Sequence, residues 1–318
     1  MDALITAARA VHFFCALLMF GELVFAVAVG PATRSLDART ARLDVSPRAL
    51  RILAWALAGS IASALVWLAA EAVAMSGLPA ARALGRDTMS LVLAETTFGR
   101  VWLLRLALAI AFAVVLFAPR RSQRARSLLM IPLVIAAGYL CALAWSGHAA
   151  AGPQRYIHLP SDVLHLLAAG AWLGALPALV RLLGSAPNLD HATQAVRRFS
   201  TLGLAAVGVL VMSGAVNAWF LVGDVDALIA TTYGRLLLVK LAVFAEMIAL
   251  AAVNRMFLTP SLVAGNSEAL RLLRRNAIVE TAMGIVVVSI VAVLGITIPA
   301  AHESPDRAPM PSSERHIH

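Results

Sequence analysis

The chain is a succession of long apolar runs separated by short polar or basic segments. A transmembrane helix needs roughly 20 apolar residues. Eight runs meet this length, at about 5–29, 49–75, 98–118, 128–147, 161–183, 199–222, 234–257 and 276–298. Because backbone amides cannot stay unpaired in lipid, each run is predicted to be a helix. The pattern predicts an all-α polytopic membrane protein with eight transmembrane helices.

Composition agrees with this interpretation. Hydrophobic residues make up 61% of the 318 residues and charged residues 14%, whereas about a quarter of an ordinary soluble domain is charged. The first run contains His12 and Glu22 and is longer than the apolar region of a usual signal peptide. We therefore expect it to be a retained span, although Ala26-Val27-Ala28 resembles a cleavage site.

The basic residues predict the orientation. The formal net charge is +9, but the arginines gather in the first, third, fifth and seventh loops. The arginines of these loops are Arg34, Arg39, Arg42, Arg48, Arg120, Arg121, Arg124, Arg126, Arg197, Arg198, Arg255, Arg271, Arg274 and Arg275. Loops rich in Lys and Arg stay in the cytoplasm, so both termini are predicted to be periplasmic. No basic face interleaved with aromatic residues is present, so nucleic acid is not an expected partner.

A repeated motif predicts two similar halves. The chain reads TTFGRVWLLRLA from Thr96 and TTYGRLLLVKLA from Thr231, and His12 and His165 are each followed nine residues later by glycine. We interpret the chain as two tandem four-helix repeats, 1–155 and 156–300, with an outward-facing tail at 301–318. Each half contains an even number of spans, so both halves have the same orientation in the membrane. The two halves are therefore expected to be related by a pseudo-two-fold axis along the membrane normal.

Histidine placement predicts chemistry at the outer face, where seven of the eight histidines are expected. Imidazole is the commonest metal ligand, and ionisable residues inside a membrane are costly and usually functional. The two histidines at the starts of the repeats are predicted two turns and one turn inside their spans. Together with sulfur ligands they suit a soft ion such as Cu(I) better than Mg²⁺ or Ca²⁺. The candidate metal ligands are His12, His148, His165, His302, Cys15, Cys141 and His158.

Each of these assignments has a structural alternative. The two cysteines are also ordinary packing residues, and His158 would be a solvated loop residue just before the fifth span. Asp162 either orients the imidazole of His165 or caps the fifth helix. Glu71 and Met75, at the outer end of the second span, are candidates to join the histidine cluster.

Other charged residues also lie within the spans. Arg105 and Lys240 occupy matched positions of the repeat and are interpreted as structural residues whose long side chains extend outward to water. Four glutamates could each act as a cation ligand, a proton carrier or half of a buried pair. These glutamates are Glu22, Glu71, Glu246 and Glu280.

Several segments resemble the copper resistance protein D (CopD) family. They are SGHAA at 146–150, SDVLHLLAAGAWLGALPAL at 161–179, RRFSTLGLAAVGVLVMSGAVNAW at 197–219, TTYGRLLLVKLA and LRRNAIVETAMG. The resemblance implies a polytopic protein of the bacterial inner membrane that is associated with copper tolerance and thought to move copper inward. It also implies a periplasmic copper carrier of the CopC type, which here would be a separate chain.

The resemblance also implies roles for individual residues. His148, Asp162, His165, Trp172 and Gly174 match the family motif, and His12 matches the histidine of the first helix. Trp172 and Gly174 are interpreted as packing residues, because small residues let helices approach closely.

Three functions follow as hypotheses. No serine hydrolase, nucleotide-binding or zinc protease motif is present, so we do not expect an enzyme. The first hypothesis is a copper permease with an outward-facing histidine-rich site, with the choice between Cu(I) and Cu(II) left open. The second is a haem-binding electron carrier with two axial histidines. The third is a docking or metallation factor that hands copper to a periplasmic protein without transporting it.

Overall fold

The computed structural model describes residues 1–30, 46–117, 125–147, 155–186, 188–223 and 225–302, without the side chains of 125–128 and of His302. Within these ranges the chain is helical and contains no strand. The helices are α1 (Asp2–Ala28), α2 (Pro47–Ser76), α3 (Ala80–Ala83), α4 (Arg86–Glu95), α5 (Thr97–Phe117), α6 (Ala125–Cys141), α7 (Arg155–Trp172), α8 (Leu176–Ser185), α9 (Leu189–Val222), α10 (Val225–Ala230), α11 (Thr232–Val253), α12 (Thr259–Val263) and α13 (Ser267–Leu294).

The predicted fold class is confirmed. In the described part of the chain, eight helical segments are long and apolar enough to cross a membrane. They are Asp2–Ala28, Pro47–Ser76, Thr97–Phe117, Leu129–Ser146, Arg155–Ser185, Leu189–Val222, Thr232–Val263 and Ser267–Leu294. The division into two tandem four-helix repeats, with boundaries at 155 and 300, stays a prediction.

Two spans begin earlier than their apolar runs. The sixth begins at Leu189 and the eighth at Ser267, rather than near 199 and 276. An asparagine side chain caps each start: Asn188 Oδ1 accepts from the backbone amide of His191, and Asn266 Oδ1 from that of Glu268. Such caps stabilise a helix in water. Hydropathy detects the apolar part of a helix and not this polar first section.

The repeated TTFGR and TTYGR motifs form the same local structure. The hydroxyls of Thr96 and Thr231 accept from the backbone amides of Gly99 and Gly234 at 2.9 and 3.0 Å. A Cβ on either glycine would overlap the backbone of the short helix before it, α4 or α10. The motif is therefore a helix start folded tightly against a preceding short helix.

Helix α1 lies at the centre of the bundle and packs against α2, α6, α7 and α13. Its crossing with the break between α7 and α8 is very close. A Cβ on Gly21 would overlap the backbone of Gly174, and a Cβ on Gly174 would overlap the carbonyl of Leu17. Small residues permit such an approach. The packing roles expected for Gly174 and Trp172 agree with this contact and with the 1% exposure of Trp172.

Candidate metal-binding site

His12 lies in a fully buried centre formed by the first half of the chain. Its Nδ1 lies 2.9 Å from the carbonyl oxygen of Ser60 and 3.2 Å from Ser63 Oγ, both on α2. Its Nε2 faces the guanidinium of Arg105 from α5. Tyr139 of α6 completes the centre, since its hydroxyl lies 2.7 Å from Ser60 Oγ and its ring lies under Arg105. We call these five residues the first histidine centre.

The hydrogen-bond partners of His12 show which ring nitrogen carries the proton. A carbonyl oxygen only accepts, so Nδ1 carries the proton and donates to Ser60. A neutral imidazole then has one lone pair, on Nε2, and Arg105 donates to it. A metal ligand needs a free lone pair. The predicted role of His12 as a copper ligand therefore requires Arg105 to move away.

Arg105 does not extend to water as the sequence suggested. It is 5% exposed and lies between His12 and the ring of Tyr139. Its Nε has no hydrogen-bond partner among the described residues. A buried guanidinium is costly without partners. Arg105 is thus held by His12 and by the cation–π contact with Tyr139, which is worth about 2 kcal/mol when desolvated.

His165 lies in a second centre, formed by α7, α9 and α11. Its Nδ1 lies 3.0 Å from Ser213 Oγ of α9. Asp162 Oδ1 accepts from Asn217 Nδ2 at 3.2 Å, and Lys240 of α11 is near enough to act electrostatically on both Asp162 and His165. We call His165, Asp162, Ser213, Asn217 and Lys240 the second histidine centre. His12 to Ser60 and His165 to Ser213 have the same separation of 48 residues.

The two histidine centres differ in whether Nε2 of the histidine, the atom that could bind a metal, already accepts a hydrogen bond. Ser213 donates its only hydroxyl hydrogen to the carbonyl of Val209 at 2.6 Å, so it accepts from His165 Nδ1. The lone pair of His165 is then on Nε2. No described residue donates a hydrogen bond to this atom, unlike His12 Nε2, which is bound by Arg105. His165 is therefore the histidine of the pair that can accept a cation without rearrangement.

Three expectations about residues of α7 are wrong. The helix begins at Arg155, so His165 lies about three turns inside it and not one. For the same reason Asp162 does not cap the helix, and its observed partner is Asn217 instead of the imidazole. His158 is not a solvated loop residue either. It is 6% exposed and stacks on Phe220 with the ring centroids 5.1 Å apart.

The remaining candidates make no hydrogen bond to either centre among the described residues, or lie outside the described side chains. Cys15 packs against Gly59 of α2, and Cys141 is half-buried at the end of α6. Glu71 accepts from Trp67 Nε1 at 3.0 Å, and the side chain of Met75 is exposed. His148 and the side chain of His302 lie outside the described residues. Among the described side chains, no three His, Cys, Asp or Glu residues lie close enough to hold a metal ion.

Comparison with known proteins gives the family of this chain. Residues 193–294 match the family model for copper resistance protein D, and residues 1–156 match the model for the copper resistance protein D-like N-terminal domain. Copper resistance protein D of Pseudomonas syringae pv. tomato is 35% identical over 224 residues, which are 66% of this chain and 71% of that protein. This chain belongs to the copper resistance protein D family. The predicted resemblance is confirmed.

Two further relatives of the family extend the comparison. Copper transport protein CutJ of Bacillus subtilis (strain 168) is 34% identical over 222 residues, 68% of this chain but 39% of that protein. Inner membrane protein YebZ of Escherichia coli (strain K12) is 32% identical over 294 residues, 91% of this chain and 96% of that protein. No solved structure matches this member of the copper resistance protein D family.

The structure of this copper resistance protein D homologue shows residues that the sequence reasoning missed. Ser60, Ser213 and Asn217 bind the predicted site residues, yet serine and asparagine in an apolar run did not stand out. The repeated separation of 48 residues between histidine and serine was the available signal. The haem hypothesis needs a free nitrogen on both histidines, and His12 offers none in this arrangement.

Proposed function

We propose that this protein is a copper permease of the bacterial inner membrane, and not an enzyme, and that copper enters through the second histidine centre. Membership of the copper resistance protein D family supports a role in copper homeostasis. One relative is named a copper transport protein and another an inner membrane protein. The observation that carries the entry site is Nε2 of His165, to which no described residue donates a hydrogen bond, about one helical turn from Asp162 along α7.

The second histidine centre offers one imidazole, so other ligands must complete the coordination. His158 lies two turns before His165 on α7, about 10 Å away along the axis at 1.5 Å per residue. These two histidines therefore act in sequence and do not bind one ion together. The backbone of the turn at Ala300–His302 packs against the end of α9. His302 and His148 are our proposed additional outward ligands, with a periplasmic carrier of the CopC type as donor.

Bound copper in purified protein tests the entry site. We expect His165→Ala to lose the bound copper that wild type carries. His12→Gln is the matched control, because its amide oxygen can still accept from Arg105; this variant should keep wild-type copper. Loss of copper in His12→Gln with full retention in His165→Ala would contradict the proposed site. A Soret band in the visible spectrum would instead support the haem alternative.

Transport needs a separate measurement. Proteoliposomes of wild type should accumulate radioactive copper faster than protein-free vesicles, and His165→Ala should reduce the initial rate at least tenfold. Copper binding without accumulation would favour a docking or metallation factor over a permease.

A further inference from the structure

A cavity of about 300 Å³ opens in the second half of the chain, far along the helices from His165. Its walls come from α8, the first part of α9, the last part of α11 and the first part of α13. Polar groups reach the cavity from Ser200, Asn254, Arg255, Thr259 and Glu280, and the other lining residues are mostly apolar. Water occupies about 30 Å³ per molecule in the liquid, so the cavity has room for several waters.

The cavity lies at the basic end of the bundle, which the distribution of arginines predicts to be cytoplasmic. The exposed arginines of this end are Arg197, Arg198, Arg255, Arg271, Arg274 and Arg275. Arg255 is at the cavity itself and donates to Ser200 Oγ at 2.8 Å.

A distortion of the seventh span directs a polar side chain at the cavity. Between α11 and α12 the chain makes a π-turn at Asn254–Leu258, a feature that is frequent at functional sites. Asn254 Nδ2 donates to Glu280 Oε1 at 2.7 Å, and Asn276 Nδ2 donates to Asn254 Oδ1 at 2.7 Å. Thr259 Oγ1 donates to the carbonyl of Asn254 at 2.7 Å. The two asparagines hold one oxygen of Glu280 in place.

Glu280 differs from Glu22, which is the other buried glutamate among the described residues. Both carboxyls are nearly inaccessible, 3% and 4% exposed. Both oxygens of Glu22 accept from Arg181 of α8, at 2.6 and 2.7 Å. Glu280 receives a neutral amide on one oxygen, and no cation lies within salt-bridge distance of it in the described part of the chain. An unpaired carboxylate buried in an apolar region costs far more than the neutral acid.

The charged groups on the surrounding helices leave Glu280 without compensation. α1 and α8 contribute Glu22 and Arg181, which pair with each other. The π-turn contributes Arg255, whose bond is to Ser200. On α13 itself Arg274 is exposed and packs against Gly184. The cavity therefore borders a buried carboxyl that no cation within salt-bridge distance compensates among the described residues.

We propose that Glu280 is a proton-binding site that exchanges protons with the cytoplasm through this cavity. In loading, one oxygen of the Glu280 carboxylate takes a proton from hydronium and leaves water. In release, the proton returns to water and the carboxylate is held by Asn254. If a Cu(I) ion passes as the proton leaves, one positive charge replaces another and the charge of this region stays balanced; this coupling step rests on the proposed permease function, whereas proton binding does not.

Chemical labelling tests proton binding without any copper. A protonated carboxyl adds across a C=N bond of dicyclohexylcarbodiimide, so the modified residue gains the whole mass of the reagent. We expect mass spectrometry of the full-length protein to locate this adduct at Glu280, with less label as the pH of the buffer rises. Glu280→Gln, which can keep the bond from Asn254, should lose the adduct. Glu22→Gln is the matched control and should leave labelling at Glu280 unchanged.

Two labelling results would overturn proton binding at Glu280. Absence of label at Glu280 at every pH, with the protein still monodisperse in detergent, would overturn the proposal. Label that does not vary with pH would overturn it as well, because it would show a carboxyl that never releases its proton.

Copper uptake at controlled internal pH tests the coupling. In wild-type proteoliposomes we expect the uptake rate to change severalfold with internal pH, and in Glu280→Gln we expect it not to respond. A response of equal size in both proteins would overturn the coupling. If wild type takes up no copper at any internal pH, the permease function fails while the labelling result still decides proton binding at Glu280.

Discussion

At the scale of single residues, two histidines at matched positions have different chemistry because of their neighbours. Arg105 occupies the lone pair of His12, whereas no described residue donates to Nε2 of His165. The difference follows from the side chain that each half places opposite the histidine. A long, planar guanidinium reaches the imidazole in the first half, and the lysine at the matched position lies near Asp162 in the second.

His12 should therefore matter for stability as well as for any metal chemistry. His12→Ala removes the donor to Ser60 and leaves Arg105 buried without its acceptor, so we expect a loss of about 2–4 kcal/mol in the free energy of unfolding. Thermal unfolding in detergent, followed by tryptophan fluorescence, measures the change. His165→Ala, whose ring is half-buried and makes one side-chain bond, is the control and should cost less. Equal destabilisation by both variants would contradict the structural role of His12.

At the scale of helices, close contacts between spans determine how the bundle assembles. α1 touches the break between α7 and α8 through the backbones of Gly21 and Gly174, and the Glu22–Arg181 ion pair joins α1 to α8 nearby. Both contacts connect residues that are remote in the sequence. They explain why α1 buries side chains in both halves of the bundle.

The glycine crossing can be tested by adding a side chain. Gly174→Val places Cβ where the carbonyl of Leu17 lies, so we expect α1 and α8 to separate and the yield of folded protein to fall at least fivefold. Gly208→Ala is the control, because a Cβ at this position of α9 would have no other atom within 4 Å. Alanine also favours a helix over glycine by about 0.5–1 kcal/mol. Monodisperse yield after size exclusion is the measurement, and a wild-type yield for Gly174→Val would contradict the close crossing.

The Glu22–Arg181 pair should show strong coupling. Removing Arg181 leaves the charge of Glu22 buried, which typically costs about 3–5 kcal/mol, while removing both partners costs less. We expect Glu22→Gln with Arg181→Met to be more stable than Arg181→Met alone. A double-mutant cycle on thermal stability measures the coupling energy. Additive effects of the two substitutions would show that the ion pair does not hold α1 to α8.

At the scale of the whole molecule, the orientation assigns a side of the membrane to each candidate site. His165 and the turn at Ala300–His302 belong to the outer end if the basic end is cytoplasmic, and Glu280 then faces the cytoplasm. The two sites lie in the same half of the chain, and α9 and α11 contribute residues to both.

Reporter fusions decide this orientation. Alkaline phosphatase inserted near Gly85, between the second and third spans, should be active because this segment is predicted to be periplasmic. Green fluorescent protein inserted near Gly265, between the seventh and eighth spans, should fluoresce because that segment is predicted to be cytoplasmic. The opposite pattern would place His165 inside and Glu280 outside, and would contradict both proposed sites together.

The sequence alone determined the membrane class, the number of spans and the family. It could do so because a bilayer requires long apolar helices, and because the TTFGR and TTYGR motifs describe local helix starts. It also identified His165, Glu22 and Glu280 as residues whose burial needs an explanation. The predicted helix ends were less accurate where a helix begins in a polar segment, as at Leu189 and Ser267. Hydropathy does not detect a helix beyond its apolar part.

Only the tertiary structure decided which polar groups meet. Glu22 and Arg181 are 159 residues apart in the chain, and their pairing depends on how α1 and α8 are rotated and cross. The same holds for Arg105 against His12 and for Asn254 against Glu280. The spacing of residues along a sequence shows which side chains share a face of one helix. Which other helix packs against that face depends on tertiary packing, and the two helices can be far apart in the chain. That packing makes His165, and not His12, the histidine with a free lone pair.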